Sequence, residues 1–252
     1  MNDPKLYTIE QEPPSDAFQE LWSYAGRHLK SQAREVLRWL RSDLEPPIAE
    51  HLSFLLGNQL FFVFVESEDI FYGNLDLFLQ AAEAAKAVPC ILPMQKIGAE
   101  YKPMLYGWGL VHAKTKEPVN PSELVSEELI EISDWELHDF AIHIVKTHLE
   151  RDGKAVFQTQ ANMEIDPSIW FEENGENYWV VVRGGRHPTR VVEMPANLAA
   201  IKKYCAHRAA GGFFAPVILA NSDDPFEPGG KNSLPLYRGH GVFVKYGGLQ
   251  SV

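Results

Sequence analysis

Gly57-Asn-Gln-Leu-Phe-Phe-Val-Phe-Val65 and Gly175-Glu-Asn-Tyr-Trp-Val-Val-Val-Arg183 are the two stretches whose reading decides the fold. Each is a turn signal followed by a short run of aromatic and β-branched residues, the mark of a buried strand. They align at a constant offset of 118, Gly57 on Gly175. A helical pattern follows each, at about 75–87 and from Pro195 to about 209. Val88-Pro-Cys-Ile-Leu92 then matches Ala215-Pro-Val-Ile-Leu219. Leu105-Tyr-Gly-Trp-Gly-Leu110 matches Leu236-Tyr-Arg-Gly-His-Gly-Val242 with one insertion. A longer helix precedes each copy. Two copies are too few for a solenoid. The expectation is an α/β protein of two pseudo-repeated lobes, each a small mixed sheet flanked by helices.

Working outward, residues 1–14 read as a loose polar tail, 15–116 as the first lobe, 117–132 as an acidic connector and 133–252 as the second lobe. In the first lobe Phe18, Leu21, Trp22, Ala25, Leu29, Ala33, Val36, Leu37 and Leu40 recur at helical spacing. They predict one long helix running to the Pro46-Pro47 stop. The prolines of Val88–Met94 place that strand at an edge or an end. Ser133-Asp-Trp-Glu136 is a capping box and opens a helix to about Glu150. Strands follow at 155–161, 168–171 and 178–183, then a helix, a strand at 213–220, a loop at 221–233 and a last strand at 236–246.

The chain carries 34 acidic and 23 basic residues, net −11. That balance lacks the electrostatic footprint of a nucleic-acid binder. Two cysteines, Cys90 and Cys205, make no disulfide framework, and no clustered Cys/His spacing suggests zinc. Neither a metal nor a cofactor is implied. The N-terminus lacks a basic-then-apolar leader, and Leu52–Val65 is too short and too interrupted to span a bilayer. A cytoplasmic protein without a membrane partner is expected.

The second half reads helix, three strands, helix, strand. This α-β-β-β-α-β order, over about residues 133–220, resembles the core of the PD-(D/E)XK nuclease-like fold. The resemblance implies an Asp on the second strand and a Glu-x-Lys on the third that together hold a metal. Here the Asp position falls near Ser168, with Asp166 two residues before; the Glu position falls at Val181 and the Lys position at Arg183. The motif is degenerate, which argues against nuclease activity. A rescued site would have to use Glu136, Asp166 and Arg183.

Features present in one copy only are the better functional candidates. Arg183-Gly-Gly-Arg-His-Pro-Thr-Arg190 leaves the buried strand with three arginines and a histidine, where the first copy has Glu66, Glu68 and Asp69. Guanidinium forks suit phosphate and carboxylate oxygens. Arg183, Arg186, His187 and Arg190, joined by Arg238 and His240 from the last strand, form a candidate anion site. The bland alternative is pairing with surface acids. Residues 117–145 hold eight acids and no Lys or Arg. Glu127, Glu128, Glu131, Asp134, Glu136 and Asp139 form a candidate docking surface for a basic partner, with a solvated helix face as the alternative. His138 and Asp139 are expected to be exposed, and Cys90 to be a small buried hydrophobe. Two functions follow as expectations. The first is an acidic binding protein without catalysis, an immunity, inhibitor or adaptor protein for a basic partner. The second is an enzyme or sensor of a small phosphate- or carboxylate-bearing compound at the Arg/His cluster.

Overall fold

Ser15 and Ser133, each in extended backbone, cap the two long helices; each helix opens an α-β-β-β-α-β order, which in the second case holds for the strands of the main sheet and is interrupted by one two-residue strand outside it. The computed structural model describes residues 5–6, 14–33, 37–41, 51–70, 72–163, 165–224 and 233–252. The chain divides into one unit of residues 12–130 and another of residues 1–11 with 131–252. A two-residue strand, β1 (Lys5–Leu6), comes first and belongs to the second unit.

The first unit contains α1 (Asp16–Gln32), β2 (Arg38–Arg41), β3 (Leu52–Leu56), β4 (Gln59–Ser67), α2 (Leu75–Ala84), β5 (Val88–Ile97), β6 (Glu100–Pro103), β7 (Leu110–His112), β8 (Pro118–Val119) and α3 (Pro121–Leu124). Its sheet runs β2-β3-β4-β5-β7-β8, with β6 also on β5. Only the β4–β5 contact is parallel among these described pairs. Alternation along β4 sends Phe61, Val63 and Val65 against Leu21, Trp22 and Leu29 of α1. Phe62 and Phe64 face Phe78 of α2.

The second unit contains α4 (Asp134–Arg151), β9 (Ala155–Thr159), β10 (Ile165–Asp166), β11 (Ile169–Glu173), β12 (Glu176–Arg186), α5 (Leu198–Cys205), β13 (Gly211–Asn221), β14 (Val242–Tyr246) and β15 (Gln250–Ser251). Its main sheet runs β14-β13-β12-β11-β9, with β15 on β13. Here β12–β13 is the parallel contact. Trp179 and Val181 pack against Ile201 and Cys205 of α5. Gly184 lies against Leu137 and Ala141 of α4, on the other face. Strands β1 and β10 pair separately.

The two-lobed α/β reading is therefore the architecture, and the repeat extends to hydrogen bonding. Ala113 donates its N–H to Pro89 O at 2.8 Å, and Gly247 donates to Pro216 O at 3.1 Å. The residue register of the repeat needs correction. The β3–β4 turn is Gly57-Asn58 and the β11–β12 turn is Asn174-Gly175, so the strands superpose at an offset of 117 rather than 118. A slip of one residue exchanges the faces of a strand. Asn174 and Gly175 both take positive φ, 55° and 81°, as a type I′ turn requires.

Other expectations change as well. The first helix ends at Gln32, and Arg38–Arg41 forms a strand on the edge of β3. Pairing with an open sheet edge outweighs the helical spacing of Leu37 and Leu40. Strand β5 is central, not an edge. Its prolines are tolerated because Pro89 and Pro93 turn their carbonyls, and hence their missing N–H positions, toward β7 and β6, leaving the β4 ladder intact. The last strand begins at Val242, since Leu236–His240 forms a bridge and a turn. Residues 117–130 belong to the first unit. Asn58 of the β3–β4 turn donates from Nδ2 to Ser126 Oγ at 3.0 Å and to Glu128 O at 2.7 Å, and accepts from Ser126 N at 3.1 Å. In the expected tail, Lys5 and Leu6 pair with Ile165 and Asp166. Val36, positions 42–45 of the expected helix, most of the tail and the centre of the 221–233 loop lie outside the described residues.

Candidate functional site

Strand alternation decides the fate of the arginine cluster. Arg183 and Arg186 stand three apart on β12, so they leave it on opposite faces. Arg183 points to the α5 side and forks onto Asp166, Nη1 to Oδ1 at 2.9 Å and Nη2 to Oδ2 at 2.6 Å. Arg186 points to the α4 side. It donates from Nη2 to Ile132 O at 2.6 Å and lies 3.2 Å from Asp134 Oδ1 and 3.7 Å from Glu131 Oε1.

Arg238 arrives at the same helix start. Its Nε and Nη2 each donate to a Glu136 oxygen at 2.9 Å, with both side chains buried. Glu136 Oε2 also accepts from Ser133 N at 2.8 Å and Ser133 Oγ at 2.9 Å, closing the capping box. The segment just before the helix is pinned by Ile132 N donating to Leu236 O at 2.9 Å and by the Glu131–Tyr237 bridge. Arg186 and Arg238, read as part of an anion site, thus meet Glu131, Asp134 and Glu136, read as part of a docking surface, and these charges offset one another.

Glu136 and Asp139 are buried, 3% and 5% exposed, and cannot serve as docking acids. Burial of His138 and Asp139 also corrects the expectation that they face water. The first turns of α4 are enclosed by β12 on one side and by the Leu236–Arg238 segment on the other. Ion pairing and capping keep the Glu136 charge satisfied there. Glu131 and Asp134 stay exposed beside Arg186. Glu127 and Glu128 are exposed in the first unit, next to the exposed Leu129. His187 donates its backbone N–H to Leu219 O at 2.8 Å, and the ring of His240 packs edge-on against Tyr237.

At the positions carried over from the nuclease-like resemblance, Ser168 and Val181 are buried, and Arg183 holds Asp166. Glu136 is occupied by Arg238 and Ser133. Each carboxylate of the rescued site is thus taken by a guanidinium. Among the described residues no group of three His, Cys, Asp or Glu side chains is gathered to hold a metal. Burial pushes the thiols of Cys90 and Cys205 up to about 12.

One arginine of the cluster remains outside these pairs. Arg190 lies on the strand-free stretch after β12, which crosses the α5 face of β13. It borders a cavity of about 420 Å³ floored by Phe214, Pro216 and Ile218 and walled by Val192 and Met194. Antiparallel register sets Lys245 opposite Ile218 and Gln250 opposite Phe214, which brings both to the same face and into the lining. Among the described residues neither Arg190 nor Lys245 forms an ion pair; Glu193 is the one acid in the lining. Sequence reasoning found Arg190 and missed Lys245. Lys245 sits in a plain Val-Phe-Val-Lys-Tyr strand, and its facing depends on the register with β13.

A family model described as a domain of unknown function (DUF8840) matches residues 135–252, nearly all of the second unit and the whole of this cavity. No curated protein and no solved structure matches the chain. Among the described residues no helix is long and apolar enough to cross a membrane.

Proposed function

We propose that this is a binding protein for a small amphipathic anion, a compound with an apolar body and one carboxylate or phosphate head, seated in the cavity of the second unit. The observation that carries the reading is the pairing of Arg190 and Lys245, two cations without an acidic partner among the described residues, with an apolar floor of Phe214, Pro216 and Ile218. A volume of about 420 Å³ lies in the range of small-molecule sites, which combine apolar walls with a few placed charges. Arg190 supplies a fork for an oxyanion, Lys245 a point charge, and the floor takes the apolar body. No bond-making step is assigned to the site. The alternative, a docking protein for a basic partner, rests on Glu127 and Glu128 as its exposed, uncommitted acids.

The test is thermal unfolding and calorimetric titration with octanoate, phenyl phosphate and inorganic phosphate. A ligand at a hundredfold excess over Kd raises stability by about 2.7 kcal/mol. Octanoate or phenyl phosphate should raise the midpoint more than inorganic phosphate does. Arg190→Gln and Lys245→Gln should each remove most of the shift. A flat response to all three probes, or a shift that both variants retain, overturns the proposal.

A further inference from the structure

The first unit carries a second surface of different character. Helix α1, β6 and the loop after β6 line a groove of about 510 Å³, open to solvent along its length. Its walls present Tyr24, Arg27, Tyr101, Lys102 and Tyr106, and no Asp or Glu is among the described lining residues. That is a departure in a chain with 34 acids against 23 bases. The Arg27 guanidinium lies 4.4 Å from the Tyr24 ring centre, and the Tyr24 and Tyr101 rings are 6.0 Å apart. Lys96 approaches the Tyr101 ring at 5.1 Å, adding a third cation beside the groove. The contact of Lys102 with Glu100, at 3.4 Å, is a surface pair with both side chains about half exposed, and such pairs are weak and exchangeable.

The rim is apolar and exposed. Met104, Leu105 and Tyr106 are 49%, 41% and 104% exposed, so the Tyr106 ring stands wholly in water. The loop that holds them is nonetheless tightly fixed. Met104 N donates to Pro93 O at 2.9 Å, and Gly109, at φ 71°, packs so closely that a Cβ would come within 2.7 Å of Pro103. His28 donates from Nε2 to Trp108 O at 3.1 Å, tying the helix to the same loop. A carbonyl accepts only, so Nε2 carries the proton.

Tyrosine, arginine and methionine are among the residues enriched in protein interfaces, and tyrosine and arginine at their energetic centres. A rim already fixed in place loses little freedom on binding. An open groove cannot enclose a small molecule in the way most ligand pockets do, but it does fit an extended chain. Three cations and no lining acid select the charge of that chain. We infer that this groove docks an acidic peptide segment of a partner protein, with an apolar side chain of the segment packed on Tyr106 and Met104 and its carboxylates on Arg27 and Lys102.

A selection from a displayed random 12-residue peptide library on the immobilised full-length protein tests this. Enriched peptides should be net acidic and carry at least one large apolar residue. Their affinity, read by fluorescence anisotropy, should fall at least tenfold in Arg27→Glu and in Tyr106→Ala. Both side chains are exposed, so the unfolding midpoint should stay unchanged in each variant. The inference is overturned by no enrichment over the bare support, by enrichment of basic or uncharged peptides, or by acidic peptides that bind both variants as well as the parent. Binding of single-stranded oligothymidylate that is lost in Tyr106→Ala, in place of acidic peptides, would also overturn it and assign the groove to nucleic acid.

Discussion

Helices α1 and α4 open the two copies of the same fold, and they use their first turns differently. In α1, Ser15 Oγ accepts from Phe18 N at 3.2 Å, and Gln19 returns a side-chain bond to Pro14 O at 3.1 Å. These contacts stay within the helix start. In α4, Ser133 and Glu136 close a full capping box, and the same Glu136 receives Arg238 from 102 residues away. A local cap has become a long-range clamp. The third strands differ in the same sense. Strand β4 is apolar from Leu60 to Val65 and then meets Glu66, Glu68 and Asp69. Strand β12 continues past Val182 as Arg183-Gly-Gly-Arg186, with each arginine held by an acid. One copy ends its central strand by apolar packing and the other by paired guanidinium groups.

The largest effect should come from breaking the clamp. Arg238→Ala leaves Glu136 as a buried charge without its partner, and loss of one member of a buried pair costs about 3–5 kcal/mol. Urea unfolding of the full chain checks this. The double variant Arg238→Met, Glu136→Leu should recover much of the loss, because the cost lies in the orphaned charge. If the single variant loses less than 1 kcal/mol, the clamp is not a structural element.

A second contrast is steric. Trp179 pairs with Gly212 across β12 and β13, where the first unit sets Phe62 against Pro89. A Cβ on Gly212 would come within 2.1 Å of the Trp179 ring. Gly212→Ala should therefore cost about 1–3 kcal/mol as an overpacked core, seen as a lower unfolding midpoint and an altered Trp emission. Arg183→Ala removes a pair that water partly reaches, since the arginine side chain is 24% exposed. A smaller loss of about 1–2 kcal/mol is expected. A loss equal to that of Arg238→Ala would erase the distinction between the two pairs.

The smallest expected effect is a pH dependence in the first unit. Burial holds the His28 imidazole below its usual range, against the opposing pull of backbone hydrogen bonds at Trp108 and Gly107. The unfolded chain then binds the proton more readily, so stability falls as pH drops through about 6.5. The urea midpoint should decline between pH 7.5 and 5.5, and the decline should shrink in His28→Gln. An unchanged slope in that variant would show that other groups carry the dependence.

Much of the architecture is legible in the sequence. Runs such as Leu60–Val65 and Phe213–Ala220 announce buried strands, and the Ser133–Glu136 spacing announces a helix start, because these signals are local. Residues 37–41 mislead, since an apolar spacing that suits a helix also suits a strand when a sheet edge is at hand. The candidate site was legible only in composition. Arginines and acids stand out as two separate features with pairing as the alternative reading, but which arginine meets which acid is not written in their spacing.

By itself the sequence determined the two-copy α/β order, the caps, the buried runs and the excess of acid over base. Tertiary structure decided which charges are paired inside the protein and which, among the described residues, stay unpaired at a cavity. Arg183 and Arg186, neighbours in the chain, were sent to opposite faces by the two-residue period of a strand, and Arg238 was brought to Glu136 by the return of the chain beside α4. Lys245 joins Arg190 in the lining of one cavity because β13 and β14 pair with Ile218 opposite Lys245. Spacing along a chain fixes which residues share an element face, whereas the partner across a sheet or at a helix end follows from strand order and register, which depend on the whole core.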